Sequence, residues 1–284
     1  MTNSYLTAYA IKFLKFLVYL STLCTVGVLS FIVIFILIHG IPALTPNLFN
    51  PVYTSANVSL LPSLIGTIIM TFLTMIISVP IGICAAIFLV EYSSSNNIFI
   101  HLIRMMTETL QGIPSIIYGL FGLIFFVTQL KWGLSLLSGA CTLAIMTLPV
   151  IIRTTEEALL TVPQSYREAS LSLGVGKVDT IFHCVLPTAL PGIISGILLS
   201  IGRCVGEVGA LLFTAGTVSK IPNIFSGTQS LFTSCRTLSV HMYVLASEGF
   251  HINETYATAV VLLLMILVIN YVASTLTQHL QQEN

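Results

Sequence analysis

Thr161-Val-Pro-Gln-Ser-Tyr-Arg-Glu168-Ala169-Ser170-Leu-Ser-Leu-Gly174-Val-Gly-Lys177-Val-Asp-Thr-Ile-Phe-His-Cys-Val-Leu186-Pro187 belongs to the most densely charged part of the chain, residues 153–187, which lies between two apolar runs, Leu134–Ile152 and Leu190–Ala215. Thr161 is a capping residue, Pro163 suits a first helical turn, and Gln164 stands three residues after the cap. Ser165 to Glu168 offers a second capping box one turn on. Either start predicts a helix from near Pro163 through Leu173. Gly174 supplies its left-handed stop. A second short helix is expected from Lys177 to Val185, ended by Leu186-Pro187. The product is a helix–turn–helix whose small Ala169 and Ser170 allow close approach by a partner. Physical reasoning alone leaves two readings open here, a docking device and an ordinary surface loop.

The rest of the chain is apolar. Its 284 residues are 56% hydrophobic and 7% charged, with mean hydropathy +1.00. A soluble domain carries roughly a quarter charged residues, so a soluble enzyme is excluded. High apolar content with zero net charge excludes disorder. The balance of 10 Lys+Arg against 10 Asp+Glu leaves no basic field for nucleic acid. The chain reads as an all-α polytopic membrane protein, and at about 20 residues per span its length allows about six.

Hydropathy places the spans at about Phe16–Ile38, Leu64–Val90, Ile113–Thr128, Leu134–Ile152, Leu190–Ala215 and Tyr256–Leu276. Pro80 is expected to kink the second. Gly119 and Gly122 are expected to draw the third inside the bundle. The first apolar stretch exceeds the ~7–15 residues of a cleaved signal and reads as a retained helix. Lys12, Lys15, Arg104, Arg153, Arg167 and Lys177 fall on one side, against Lys131, Lys220 and Arg236 on the other. The positive-inside rule then puts both termini and the 153–187 loop in the cytoplasm. Three regions follow: 1–63, the first helix and an external linker; 64–276, a core of about five spans; and 277–284, a cytoplasmic tail. The longest outer loop, Val218–Thr255, contains an amphipathic piece, Leu238–Ala246, expected as a short helix at the membrane surface.

Glu168-Ala169-Ser170, then Gly174, then Leu186-Pro187 resembles the EAA motif of ABC importer permeases: Glu-Ala-Ala, three residues, Gly, nine residues, Ile-x-Leu-Pro. Ser170 replaces the second Ala and Cys184 the Ile, and both swaps keep a small or apolar side chain. Leu148-Pro-Val-Ile-Ile-Arg153-Thr-Thr-Glu156, Leu186-Pro-Thr-Ala-Leu-Pro-Gly192 and Gly202-Arg203-Cys-Val-Gly-Glu207 are similar to the phosphate-specific permeases, the PstA type more than the PstC type. The likeness covers roughly Leu64 to Leu276. Where that family usually has Thr-Ala-Pro after Gly-Glu, this chain has Val208-Gly209-Ala210.

The resemblance implies a MetI-like bundle in which Glu168, Ala169, Ser170, Gly174, Leu186 and Pro187 couple the chain to an ATPase. It implies a PstC-type second permease, two PstB-type ATP-binding subunits carrying ATP and magnesium, and a PstS-type extracytoplasmic phosphate-binding protein. This chain itself would hold no cofactor and sit among inner-membrane lipid. Phosphate rather than another oxyanion, such as sulfate, rests on the resemblance.

Arg203 and Glu207 lie four residues apart in the expected fifth span, hence on one helix face. Charges within a bilayer are costly and usually face a bundle interior or a wet cavity. Two readings stand: a structural ion pair, or a substrate path in which the guanidinium fork meets phosphate oxygens and Glu207 holds the fork. Arg104 and Glu108 repeat the spacing at the cytoplasmic boundary, where a solvated pair is expected.

No GxxxxGK[ST] phosphate loop occurs; Gly174-Val-Gly-Lys177 is too short and lacks the hydroxyl. Energy would therefore come from a partner. A self-sufficient ion-coupled carrier would show broken helices and repeated halves, and neither is evident in the sequence. An intramembrane enzyme would need a nucleophile–base pair or metal ligands within the spans. The histidines (His39, His101, His183, His241, His251, His279) are scattered and form no metal motif. The six cysteines form no CxxC and read as small buried hydrophobes.

Overall fold

The computed structural model describes residues 2–92, 98–222 and 229–282. The side chain of His279, residues 223–228 of the outer loop and residues 283–284 of the expected tail lie outside that description.

The described chain is helical: α1 (Thr2–Gly40), α2 (Leu61–Ile87), α3 (Ile98–Gln111), α4 (Ser115–Gly122), α5 (Leu136–Thr161), α6 (Gln164–Ser172), α7 (Lys177–Thr180), α8 (Leu186–Gly206), α9 (Gly209–Thr214), α10 (Leu238–Glu248) and α11 (Ile252–Gln282). Wider π turns extend α2 through Phe88–Tyr92, extend α4 through Leu123–Gln129, and join α7 to α8 through Ile181–Val185. Among the described residues, five helices are long and apolar enough to cross a membrane: Ile11–Gly40, Leu61–Tyr92, Leu136–Thr161, Lys177–Gly206 and Ile252–Thr275. A sixth crossing exists if α3 and Ser115–Gln129, bent by 100°, count as one.

Two expected spans are corrected. The third is half of this bent pair, because Gly112-Ile-Pro114 interrupts the ladder and Pro114 is extended. The Tyr118 hydroxyl clamps the bend by donating to the Leu110 carbonyl at 2.8 Å. The fifth span runs Lys177–Gly206 rather than Leu190–Ala215. Leu186-Pro187 does not end a helix: Pro187 sits in the first turn of α8, where a missing N–H costs least. Broken helices, not evident in the sequence, are thus present at Gly112–Pro114 and at Glu207. Pro80 lies within an unbroken α2.

Helix α5 is the centre, packed by α2 on one side and α8 on the other. Small residues set the spacing. A Cβ on Gly192 of α8 would sit 2.6 Å from the Ala158 Cβ of α5, so the two backbones approach closely. Hydroxyls inside the spans bond backward to their own helix, as Thr74 does to Met70 O and Ser200 to Gly196 O, which satisfies them without water. The main core gathers Met70, Leu136, Leu143, Met146, Cys204 and Leu211. A second cluster, with Ala86, Leu159, Val185 and Ile193, lies below it toward α6.

Helix α10 departs from expectation. Its Leu238, Val240, His241 and Leu245 are buried, and it packs on α11 and α2 rather than lying on a surface. The segment before α2 folds over it: Leu48 and Leu60 join Leu238 and Ala257 in a third cluster. Helix α1 is peripheral, its described side chains mostly exposed. It touches α11, where Phe35 and His39 meet the Tyr256 ring. Of the cysteines, Cys204 and Cys235 are buried, whereas Cys24 and Cys84 are exposed on apolar helix faces.

Candidate functional site

The helix–turn–helix exists. Helix α6 begins after extended Pro163, and apart from Arg167 and half-buried Ser170 its side chains are exposed, Glu168 and Ala169 among them. Neither capping box forms. Thr161 is still the last residue of α5, and its hydroxyl bonds back to Ala158 O at 2.7 Å. Gly174 stops the helix at φ +82°, a conformation that costs other residues steric energy. The turn is closed by Gly174 N–H to Leu171 O (3.0 Å) and by Val175 N–H to Ser170 O (3.3 Å). Ser170 Oγ lies 2.9 Å from Thr180 Oγ1, tying α6 to α7. Leu186 and Pro187, half-buried, stand at the start of α8, away from the exposed face of α6.

The contact that secures this elbow has no local pattern in the sequence. Arg167 donates from Nε to Glu91 Oε1 at 2.9 Å, from Nη1 to Val162 O at 2.7 Å and from Nη2 to Leu159 O at 2.9 Å. Both side chains of the Arg167–Glu91 pair are largely buried, 12% and 8% exposed, so removing one partner would strand the other. On the second arm, Lys177 Nζ lies 4.8 Å from the Tyr92 ring centroid. A pairing of residues 76 positions apart leaves no local signal.

Arg203 and Glu207 do not share a helix face. Helix α8 ends at Gly206, and Glu207 is extended (φ −74°, ψ 130°). Its Oε1 accepts the Ala210 N–H at 3.1 Å and caps α9, while its carbonyl accepts the Ser239 hydroxyl at 2.8 Å. Arg203, half-buried, forms no hydrogen bond or ion pair among the described residues; its charge reaches Tyr118. The starts of the two broken helices meet nearby, for a Cβ on Gly209 would sit 3.1 Å from Ser115 Oγ. The site therefore combines one unpaired guanidinium with two backbone breaks, and Glu207 serves the backbone rather than the fork.

Arg104 and Glu108 also fail to pair with each other. Arg104 Nε meets buried Glu156 at 2.6 Å, and Glu108 meets Arg153 at 3.5 Å. Both contacts bind α3 to α5, helped by Gln111 Nε2 donating to Pro149 O at 3.0 Å. Arg236, expected as an outer-loop charge, is buried. Its Nε donates to Thr217 O at 2.6 Å, and its Nη1 lies 3.2 Å from His241 Nδ1. Since a guanidinium only donates, His241 is neutral with its proton on Nε2. The Tyr53 ring covers Arg236 at 5.3 Å.

Residues 78–283 match the family described as binding-protein-dependent transport system inner membrane component. The chain is 39% identical over 213 residues to the probable ABC transporter permease protein YqgI of Bacillus subtilis (strain 168), covering 71% of this chain and 72% of that one. It is 32% identical over 272 residues to the phosphate transport system permease protein PstA of Haemophilus influenzae, covering 94% of both. Among solved structures, a MetNI methionine ABC transporter chain superposes with TM-score 0.58 at 18% identity, over 78% of this chain and 94% of that one. A chain of a bacterial importer of the acidic polysaccharide alginate superposes with TM-score 0.56 at 12% identity, over 90% and 95%. At such identities the likeness shows the fold alone. The apolar helices, the exposed elbow and the family match agree, and the chain belongs to the multi-pass inner-membrane permease components of binding-protein-dependent ABC transport systems.

Proposed function

We propose that this chain is a membrane-spanning permease subunit of an ATP-driven phosphate importer, moving inorganic phosphate inward from an extracytoplasmic binding protein. The observation that carries the reading is α6, a helix hung between the central spans α5 and α8 whose side chains, Arg167 and Ser170 apart, are exposed. Arg167 and Ser170 hold this helix to its own chain, and the rest of its surface is free for a partner. The phosphate assignment is supported by the PstA relatives.

In this reading both termini are cytoplasmic and two ATP-binding subunits grip the elbow 163–187 of this chain and its counterpart in a second permease. Glu168, Ala169, Ser170 and Gly174 form the gripped turn, and Leu186-Pro187 joins it to α8. ATP binding draws the two elbows together and opens the path outward. Phosphate then passes from the binding protein, and hydrolysis resets the spans. Arg203 offers its free donors to the anion in passing. Contact must stay brief, because conduction requires binding weak enough for exit. Glu207 fixes the helix break that sets the position of Arg203. The reaction chemistry, ATP hydrolysis, stays on the partner.

The test is uptake of radiolabelled phosphate by proteoliposomes holding the complete complex. Uptake is expected to require ATP and to resist excess sulfate. Equal competition by sulfate would widen the substrate to oxyanions in general. Broken helices also suit an ion-coupled carrier; phosphate uptake by this chain alone, without ATP, would establish that reading and overturn this one.

A further inference from the structure

Resting on the reading of α6 as the docking helix, we infer that Arg167, through Glu91, carries the movement of α6 into α2, so that the partner ATPase drives the second span directly. Covalent connection links the elbow only to α5 and α8. The link to α2 is made by side chains alone, from both arms of the elbow. Arg167 on α6 holds Glu91 at 2.8–2.9 Å, and Lys177 on α7 lies over Tyr92, the next residue.

The geometry favours transmission over simple anchoring. An open cleft of about 520 Å³ separates α6 from the ends of α2 and α5, lined in part by Val90, Glu91, Val162, Gln164, Arg167 and Lys177. Apolar packing does not fill this gap; the guanidinium spans it. Its fork grips three oxygens at once, one on α2 and two carbonyls at the end of α5, so it resists both sliding and rotation of α6. Glu91 sits in the π turn at the end of α2. From there α2 runs as one helix to its opposite end, where Thr67 Oγ1 accepts the Leu238 N–H at 2.7 Å and Gly66 lies against Cys235 and Arg236. One continuous helix thus links the elbow to the start of α10 across the bundle. Arg167 is a positioning residue in this account; it touches no substrate.

The test compares wild type, Arg167→Gln, Arg167→Lys and Glu91→Gln in the complete reconstituted complex, measuring phosphate uptake and ATP hydrolysis together. Both neutral variants are expected to keep the ATPase bound and hydrolysing, while phosphate moved per ATP falls at least about fivefold. Arg167→Lys, which retains the charge for Glu91, is expected to recover part of the ratio. Should Arg167→Gln fail to reach the membrane, Glu91→Gln decides alone, since it leaves the guanidinium its two carbonyls. An unchanged ratio in the neutral variants would overturn the inference, as would loss of the ATPase from an otherwise intact Glu91→Gln complex. Absence of ATP-dependent uptake in wild type would instead overturn the reading on which it rests.

Discussion

Arg203 and Glu207, four positions apart, are separated by the end of a helix: Glu207 turns its carboxylate to the Ala210 N–H at 3.1 Å and leaves Arg203 without an ion-pair partner among the described residues. An unpaired, half-buried cation in a membrane bundle is costly unless something else meets it. Arg203→Gln is therefore expected to lower phosphate uptake at least about tenfold, the scale of one charge-assisted hydrogen bond, with assembly intact. Near-normal uptake would remove Arg203 from the path.

The same geometry predicts energetic independence. Stability losses of Arg203→Gln and Glu207→Gln should add within about 0.5 kcal/mol in the double variant, as for non-interacting sites. Gln keeps the acceptor for Ala210, so Glu207→Gln is mild, while Glu207→Leu loses the cap and costs about 1 kcal/mol. Rescue of one single variant by the other would restore the ion-pair reading.

Close packing at the second helix break gives a steric prediction. A Cβ on Gly119 would sit 2.8 Å from the Ala210 Cα, whereas nothing lies within 4 Å of one on Gly202. Gly119→Ala must push α4 from α9 and is expected to cost about 1–3 kcal/mol. Gly202→Ala should be neutral or slightly stabilising. Thermal unfolding of the purified protein in detergent reads both, and equal midpoints would contradict the packing described.

His241 predicts an acid weakness. Burial, and then the charge of Arg236, lower its pKa from 6.5 to about 4, against a smaller opposing pull from the Val58 backbone. Between those values the unfolded chain takes up a proton that the folded protein refuses, so this stability is fully present above pH 6.5 and lost as pH falls toward 4. His241→Gln keeps an acceptor for Arg236 and does not titrate. Its melting point should fall less than that of wild type between pH 7.5 and pH 4.5; an identical fall in both would exclude His241 as the cause.

Gly174 carries the turn by backbone alone, with φ +82° and open space around it. Gly174→Val should weaken recovery of the ATPase with the complex and lower uptake. Gly174→Asn should do so less, because Asn tolerates the left-handed region. Equal effects of the two would point to something other than backbone conformation.

What was legible in the sequence was local or compositional. Apolar runs revealed a membrane bundle because lipid leaves few other solutions, and Gly174 marked a helix end because its signal needs only its own backbone. Hydropathy could not reveal the break at Glu207, since Val208-Gly209-Ala210-Leu211 continues the apolar run across it. Pro187 misled for a related reason: proline ends a helix in its interior but is tolerated in a first turn, and the π turn before it makes that position a beginning. Equal spacing suggested the pairs Arg203–Glu207 and Arg104–Glu108. The tertiary structure instead sent Arg104 to Glu156 and Arg167 to Glu91. Burial of α10 was hidden because its cover comes from the distant Leu48 and Leu60.

The most direct test replaces Ala169 by cysteine in a chain otherwise free of cysteine and attaches a short cross-linker in membrane vesicles of known orientation. The account predicts reaction from the cytoplasmic side only, and a covalent product with the ATP-binding subunit whose yield changes when ATP is added. Labelling from the outer side, or accessibility with no ATPase adduct, would contradict it.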